Sequence, residues 1–424
     1  TKSFEDTCDG VEVGGKVLHL LAFADDLVIM SKSKEGLQRS LNKLQAYCCK
    51  WRLQINCDKS KVMMLSRSGK KCQTNFYIND HILENVNRYM YLGIEVSASG
   101  ALTDAKINLR NKSRKAQFKL QSILWGTNIK AKVSLKLFDQ LIQPISTYGC
   151  EYWGVPLNPK TVSEKYYDNL PQEKVHLSFM RFALGVNKYT PNNGVRGELG
   201  RFPLYIFIKI QIFKYLKRLY NEEGGTLVQK AFRDQCTMHN SKSWLSTAKV
   251  MATPVGNNYY CTTVDQYVDC IKKQYIDHWT SETVLSSGHK LDSYSTYKKT
   301  FSFESYLDLP IDRKKLSRLS KFRLSNHRLR VETGRYSRPY IPREDRICTI
   351  CGDGIEDEFH FLLKCPYYKS ERTDFKIKLS IGRLDSSQRT FINIMSDVNT
   401  KSKVLALVGF IETCFDKRQI KLSQ

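Results

Sequence analysis

The segment from Val17 to Met30 constrains the fold most, because two apolar runs in it flank the adjacent acids Asp25 and Asp26. Apolar runs of this length are typical of buried strands, and Asp is a common turn former. The pattern therefore predicts a strand, a tight turn and a second strand, with both carboxylates at the turn.

The remainder of the chain predicts a mixed fold. Ser31 is placed to cap a helix that runs to about Tyr47, with Leu37, Leu41 and Leu44 on one face. Short strands are predicted at 53–56, 62–65 and 91–96, and helices dominate after residue 100. Two of these helices are predicted to bury the faces Ala116, Leu120, Ile123 and Val133, Leu137, Leu141, Ile145, and two more cover 173–183 and 204–220. The predicted fold class is α+β.

The charge balance indicates a polyanionic partner. The 424 residues include 67 Lys and Arg against 42 Asp and Glu, a formal net charge of +25. Such a charge favours nucleic acid or an anionic membrane surface. No stretch approaches the ~20 apolar residues of a membrane span, and the basic segments lie beside helical cores, so we expect no membrane partner. The thirteen cysteines follow no secretion signal and are interpreted as reduced thiols or metal ligands.

Asp25 and Asp26 form the first candidate site. Adjacent carboxylates repel each other, and a divalent cation relieves that repulsion. Mg²⁺ prefers one or two carboxylates together with substrate phosphates, which suits phosphoryl transfer by a two-metal mechanism. An ordinary Asp-Asp turn without chemistry is the alternative.

Four residues near the C-terminus form the second candidate site. Cys348, Cys351, His360 and Cys365 follow the spacing C-x₂-C-x₈-H-x₄-C. Three thiols and one imidazole make a closed tetrahedral set, which predicts a structural zinc site. The alternative is four unrelated residues.

Five segments in order resemble reverse transcriptases of non-LTR retrotransposons. Phe23-Ala-Asp-Asp26 resembles their catalytic hairpin, 53–60 the next palm motif, and 91–94 the primer-grip hairpin. Segments 146–153 and 195–204 resemble parts of the thumb region. The Cys/His cluster and its lead-in, 319–335, resemble the C-terminal zinc-binding segment of the same family.

The resemblance implies roles for individual residues. Asp25 and Asp26 would bind Mg²⁺ in the complete enzyme, Phe23 would pack at the primer end, and Lys59 would lie near the triphosphate and protonate pyrophosphate. A solvated loop lysine is the alternative for Lys59. Basic residues of the thumb-like and zinc-adjacent segments would contact the element's RNA and the target DNA: Lys106, Arg110, Arg114, Arg323, Arg328, Arg330 and Arg335. These basic segments could instead serve only solubility.

The resemblance also implies a domain order and a location. Together with the helical pattern along the chain, it predicts part of a palm in 1–96, a helical basic thumb-like domain in 97–235, and a basic segment with a zinc knuckle in 311–372. Composition and pattern by themselves predict a helical connector in 236–310 and a helical tail in 373–424. We expect such a protein in a ribonucleoprotein of nucleus and cytoplasm.

Two hypotheses of function stay open at this point. The family places another metal-binding Asp and the fingers upstream of the catalytic hairpin, and only 24 residues precede Asp25. We therefore expect a fragment that does not polymerise by itself. The alternative is a basic zinc-knuckle protein that binds nucleic acid without chemistry. The two differ in whether Asp25 and Asp26 bind divalent ions.

Overall fold

The structure is a computed structural model that describes residues 9–66, 73–156, 160, 163–221, 224–238, 243–253, 261–286, 290–379 and 384–424. Nine short strands lie in these ranges, all before residue 98: β1 Val11–Val13, β2 Lys16–Leu18, β3 Leu20–Phe23, β4 Asp26–Ile29, β5 Lys61–Val62, β6 Phe76–Ile78, β7 His81–Asn85, β8 Arg88–Tyr91 and β9 Ile94–Ser97.

The described chain contains eighteen α-helices, and all but the first lie after residue 100. They are α1 Lys34–Trp51, α2 Thr103–Leu124, α3 Ala131–Leu141, α4 Gln143–Ser146, α5 Cys150–Trp153, α6 Glu164–Asp168, α7 Pro171–Leu184, α8 Asn192–Glu198, α9 Leu204–Asn221, α10 Leu227–Thr237, α11 Trp244–Ala252, α12 Val264–Thr280, α13 Asp292–Tyr297, α14 Arg313–Arg323, α15 Arg330–Thr333, α16 Lys369–Leu379, α17 Gln388–Ser396 and α18 Lys401–Leu422. The predicted α+β class is confirmed at this level, as a helix-rich fold with small sheets.

The sheets are small and mostly antiparallel. Strands β1 and β2, β3 and β4, and β8 and β9 form three two-stranded sheets. The fourth sheet has the order β5-β7-β6, in which β5 runs parallel to β7 and β6 antiparallel to it. Helix α1 packs on this sheet through Leu41, and the shared core contains Val62, Phe76 and Leu83.

Several local predictions need correction. Ser33, not Ser31, caps α1 by accepting a hydrogen bond from the Gly36 amide, because Ser31 instead donates to Asp9. Residues 53–56 form no strand. In α2 Leu120 is buried as predicted, but the next buried residue is Leu124, which is 1% exposed, rather than Ile123, which is 63% exposed.

The next helices are partly as predicted. Helix α3 buries Leu135 and Phe138 and exposes Val133 and Leu141, the opposite of the predicted face. Helices α7 and α9 agree with the predictions at 173–183 and 204–220. Lys209 on α9 is partly buried, and desolvation lowers its pKa.

The chain forms two compact units. One contains Thr1–Asn111, Thr147–Tyr167 and Ile208–Val264, and the other contains Lys112–Ser146, Asp168–Phe207 and Asp265–Gln424. The five-part division of the chain stays a prediction. None of the helices in the described ranges is long and apolar enough to cross a bilayer.

The second unit is built around buried ion pairs. Arg323 is 1% exposed, and its guanidinium donates to Glu198 at 2.6 Å and to Glu304 at 2.8 Å. Arg196 is equally buried and pairs with Glu173 at 2.8 Å and with Asp168 at 2.7 Å. Buried charges require such partners, since an unpaired charge in an apolar interior is costly.

Candidate metal sites and nucleic-acid interface

The acidic pair lies at the tip of the β3–β4 hairpin. The strands pair in register from Leu20 with Ile29 to Phe23 with Asp26. The turn is therefore Ala24 and Asp25, and Ala24 adopts a left-handed backbone with φ of 52°. A two-residue turn of this kind matches the twist of the flanking strands. The predicted strand–turn–strand is confirmed, and Asp25 and Asp26 are brought together at its end.

The hairpin tip is open to solvent. Both aspartates are exposed, and their side chains make no hydrogen bond or ion pair with any described residue. Phe23 is 63% exposed and Leu27 47% exposed, so apolar surface surrounds the carboxylates. In the described ranges no third acidic, His or Cys side chain joins them as a metal-binding group. Two carboxylates with open surroundings fit the partial donor set that Mg²⁺ uses when phosphates complete it.

The segment containing Lys59 forms a tight loop. The Asn56 Oδ1 atom accepts a hydrogen bond from the Lys59 amide at 3.0 Å. The Tyr89 hydroxyl donates to the Lys59 carbonyl at 3.4 Å and so links this loop to β8. The Lys59 side chain is exposed, and no hydrogen bond or ion pair among the described residues joins it to either aspartate.

The β8–β9 hairpin is held by a residue that sequence reasoning did not single out. Its turn is Leu92 and Gly93, both with positive φ. The Tyr148 hydroxyl donates to the Leu92 carbonyl at 3.0 Å. A Cβ on Gly93 would lie 3.1 Å from the Tyr148 ring, so glycine permits this close approach. Tyr148 belongs to the segment 146–153 that resembles the thumb region. That resemblance is the sequence feature that could have identified Tyr148.

The four predicted zinc ligands converge in the structure. The Sγ atoms of Cys348, Cys351 and Cys365 and a ring nitrogen of His360 all lie within 4.8 Å of one another. His360 Nε2 is 3.4 Å from the Cys351 sulfur, which makes Nε2 the ligand atom.

The surrounding backbone sets this geometry. A bridge between Ile347 and Ile355 closes the Cys348–Cys351 loop, and Gly352 takes the left-handed backbone with φ of 73° just after the second cysteine. His360 opens a π-helical turn over His360–Lys364, and its amide donates to the Asp357 carboxylate at 2.8 Å.

The donor set is suited to zinc. Cys348, His360 and Cys365 are buried, with 2%, 5% and 0% exposure. The hydrogen bond with Cys365 lowers the pKa of the Cys348 thiol, which favours thiolate in this set. Thiolate is the form that binds metal. Four ligands that leave no open position indicate a structural role.

The basic residues predicted on α2 differ in availability. The Lys106 ammonium donates to the Tyr166 hydroxyl at 2.8 Å, and Arg110 donates to Asn111 at 2.8 Å. Arg114 is exposed and its guanidinium lies 5.7 Å from the centre of the Phe118 ring. Phe118 is itself 61% exposed, and sequence reasoning did not identify it.

The basic residues near the zinc cluster also separate into two groups. Arg328 is exposed, Arg330 is half-buried, and Arg335 is half-buried with its Nε atom 2.9 Å from Glu332. Arg323 is the exception, because its buried guanidinium is engaged by Glu198 and Glu304. It cannot contact a phosphate, and we remove it from the interface.

Comparison with protein families matches residues 4–96 to the family described as reverse transcriptase (RNA-dependent DNA polymerase). The matched range contains the acidic hairpin, the Lys59 loop and the β8–β9 hairpin.

Curated relatives resemble about a third of the chain. A transposon-derived protein of Caenorhabditis elegans is 29% identical over 145 residues, which are 34% of this chain and 51% of that protein. The "Probable RNA-directed DNA polymerase from transposon X-element" of Drosophila melanogaster is 25% identical over 155 residues, 34% of this chain and 16% of its own length. The RNA-directed DNA polymerase from mobile element jockey of Drosophila funebris is 24% identical over 148 residues, 33% of this chain and 16% of its own length. The matches thus cover about half of the first relative and about a sixth of the polymerases.

Proposed function

Residues 4–96 are reverse-transcriptase sequence of the LINE-like kind, and from that premise we propose that the chain carries the catalytic hairpin of a retrotransposon RNA-directed DNA polymerase. One observation carries the proposal. Asp25 and Asp26 stand exposed on a two-residue turn, and no described residue pairs with either carboxylate, although the chain contains 67 basic residues. Carboxylates kept free at a hairpin tip are available to cations and to a nucleic-acid end.

The chemistry follows from the residues at this tip. Asp25 and Asp26 would hold Mg²⁺, which when bound neutralises charge on a nucleoside triphosphate. The exposed ring of Phe23 offers an apolar surface against which the last base of a primer can pack. The exposed ammonium of Lys59 can donate a proton to departing pyrophosphate, a role that suits a lysine held near phosphate charge. By analogy with the family, we assign 1–96 to part of the palm and 97–235 to a thumb-like domain.

Helix α2 offers the best surface for the duplex that such an enzyme extends. Lys112, Arg114, Lys115 and Lys119 are all exposed on it, and no acid lies between Ala105 and Phe138. Phe118 and Trp125, which are 61% and 78% exposed, add apolar surface to the same stretch. Lysine and arginine side chains that neutralise phosphates supply most of the sequence-independent affinity for nucleic acid. We propose the element's RNA and its target DNA as the partners.

The zinc cluster has a separate role in this proposal. Zn²⁺ held by Cys348, Cys351, His360 and Cys365 would fix the fold of the C-terminal region as a zinc knuckle, with no part in the chemical step. The basic residues around it, of which Arg328 is exposed, would contact nucleic-acid backbone.

Iron-mediated cleavage tests the proposal directly. Fe²⁺ replaces Mg²⁺ at carboxylate sites and splits added hydrogen peroxide into hydroxide and a hydroxyl radical, with ascorbate reducing the Fe³⁺ formed. A primed RNA template bound to the chain should therefore be cut near the primer 3′ end. The double variant Asp25→Asn/Asp26→Asn should abolish this cleavage while still binding the template. The matched control is Glu344→Gln/Asp345→Asn, since these two acids are also adjacent and exposed.

The outcomes separate the two hypotheses. Cleavage at the primer end that depends on Asp25 and Asp26 supports the polymerase hairpin. Template binding with cleavage that is absent or unaffected by the double variant would favour a binding protein without chemistry. Whether the chain extends a primer by itself stays a prediction, and a radiolabelled nucleotide incorporation assay decides it.

A further inference from the structure

Two tyrosines between α15 and the zinc ligands are exposed. Tyr336 is 68% exposed and Tyr340 is 64% exposed. Large rings left open to water lose the free energy that burial would provide. Two exposed tyrosine rings on one short segment of a basic protein indicate a binding site for a ligand that has aromatic groups.

Each ring lies against a cation of the protein. The Lys290 ammonium lies 5.8 Å from the centre of the Tyr336 ring, and the Arg346 guanidinium lies 5.4 Å from the centre of the Tyr340 ring. A cation at this distance is attracted by the negative face of the ring. Because about two-thirds of each side chain is open to solvent, each ring keeps accessible aromatic surface beside its cation.

Other groups of the protein hold the side chains of Lys290 and Arg346 in place. Lys290 is 16% exposed and pairs with Glu332 at 3.2 Å. Arg346 is 1% exposed, and its guanidinium donates to the Val331 carbonyl at 2.9 Å and to the Ile341 carbonyl at 3.0 Å. It also donates to the Tyr340 hydroxyl at 3.2 Å. The rings are therefore held in place before any ligand arrives, which reduces the entropy lost on binding.

Gly334 makes the Arg346 position possible. A Cβ on Gly334 would lie 2.8 Å from Arg346 Cγ and 2.9 Å from Cδ, closer than packed atoms approach. The buried support of the Tyr340 ring thus requires a glycine at this place.

A free positive charge lies between the two rings in the chain. Arg338 is exposed and makes no hydrogen bond or ion pair to any residue that the structure describes. Proteins that bind single-stranded nucleic acid stack aromatic rings on the bases and place positive side chains at the phosphates.

We propose that Tyr336 and Tyr340 each stack on an unpaired base of a single-stranded nucleic acid, with Arg338 at its backbone. A duplex cannot occupy this site in the same way, because its base faces are already stacked. The inference deepens the proposed nucleic-acid binding by naming a single-strand site apart from the acidic hairpin and α2.

Fluorescence anisotropy of the full chain with an oligouridylate of about twelve nucleotides tests the proposal, a length within the site sizes of single-strand binders. Tyr336→Ala and Tyr340→Ala should each weaken binding about tenfold, since one stacked base contributes on the order of 1–3 kcal/mol. Tyr336→Phe and Tyr340→Phe keep the ring and should bind like the wild type. The control is Tyr189→Ala. Tyr189 is also 68% exposed, and the Lys188 ammonium lies 5.0 Å from the centre of its ring, but Lys188 is itself exposed.

Salt dependence separates stacking from charge. The slope of log Kd against log salt should be unchanged in the tyrosine variants and should fall by about 0.7 in Arg338→Ala, the value for one phosphate on a single strand. Equal losses in Tyr189→Ala, or alanine variants that bind the oligouridylate as tightly as the wild type, would overturn the proposal. Affinity for a blunt duplex and Fe²⁺ cleavage at the primer end should not change in these variants, so failure here is distinct from failure of the polymerase hairpin.

Discussion

The acidic hairpin and the Cys/His cluster differ in how their candidate metal ligands are surrounded. No residue of β3 or β4 is buried, and the two aspartates have no partner among the described residues. Around the zinc cluster three of four ligands are buried, and buried pairs such as Glu356 with Arg418 at 2.7 Å surround it. The exposed hairpin leaves its carboxylate oxygens available to a metal ion that binds together with substrate. The Cys/His cluster instead supplies all four ligand atoms from the chain itself.

Loss of one zinc ligand should have the largest effect. Cys365→Ser removes a buried thiolate from a closed site, so bound zinc should fall from about one per chain to none. The free energy of unfolding should fall by roughly 5 kcal/mol or more, because structural zinc contributes on the order of 10 kcal/mol in small domains. Elemental analysis and urea unfolding measure both quantities. Cys236→Ser alters an exposed thiol and should change neither, while zinc retained by the Cys365 variant would contradict the assignment.

Breaking the buried pair at Arg323 comes next. Arg323→Ala leaves Glu198 charged and buried without its cation, so the free energy of unfolding should fall by about 3–5 kcal/mol. Arg328→Ala changes an exposed residue of the same basic segment and should stay within about 0.5 kcal/mol of the wild type. Equal, small effects in urea unfolding would show that Arg323 is exposed in solution and would restore it to the interface.

The pH dependence of stability should follow Glu173. Burial alone would raise the pKa of this carboxyl, but its interactions with His176 and Arg196 hold its pKa at about 2, against 4.5 in the unfolded chain. A lowered folded-state pKa stabilises the fold above pH 4.5, and this contribution is lost as the pH falls from 4.5 towards 2. The loss amounts to about 3 kcal/mol, from 1.36 kcal/mol per pKa unit.

Glu173→Gln removes the titrating group and provides the matched comparison. Its stability should be lower than that of the wild type at pH 7 and should change less between pH 5 and pH 3. Parallel curves for the two proteins in urea unfolding would contradict the lowered pKa.

The smallest effect is expected at Phe23 on the acidic hairpin. Phe23→Ala should change the free energy of unfolding by no more than about 0.5 kcal/mol, because the ring is 63% exposed. Phe361→Ala beside the zinc ligands removes a ring that is 1% exposed and should cost about 3–5 kcal/mol. A large fall in the free energy of unfolding of Phe23→Ala would mean that other residues of the chain cover the hairpin, and it would contradict the difference in exposure between the hairpin and the Cys/His cluster.

The sequence was informative where residues close in the chain act together. The β3–β4 turn and the convergence of Cys348, Cys351, His360 and Cys365 both depend on short spacings, and both are present. On α2 the sequence could not decide between Ile123 and Leu124, because both are apolar and only packing determines that Leu124 is the buried one.

Long-range contacts were out of reach of sequence reasoning. Arg323 looks like its basic neighbours in the chain, and its partner Glu198 lies 125 positions away. The support of Tyr340 by Arg346 through Gly334 likewise becomes visible only when the backbone is placed.

Manganese binding at the acidic hairpin tests the central claim most directly. Electron paramagnetic resonance counts free Mn²⁺ in a titration of the zinc-loaded chain with a primed RNA template present. The account predicts that the wild type and Glu344→Gln/Asp345→Asn bind Mn²⁺ equally, and that Asp25→Asn/Asp26→Asn loses this binding. Equal Mn²⁺ binding by all three proteins would contradict it.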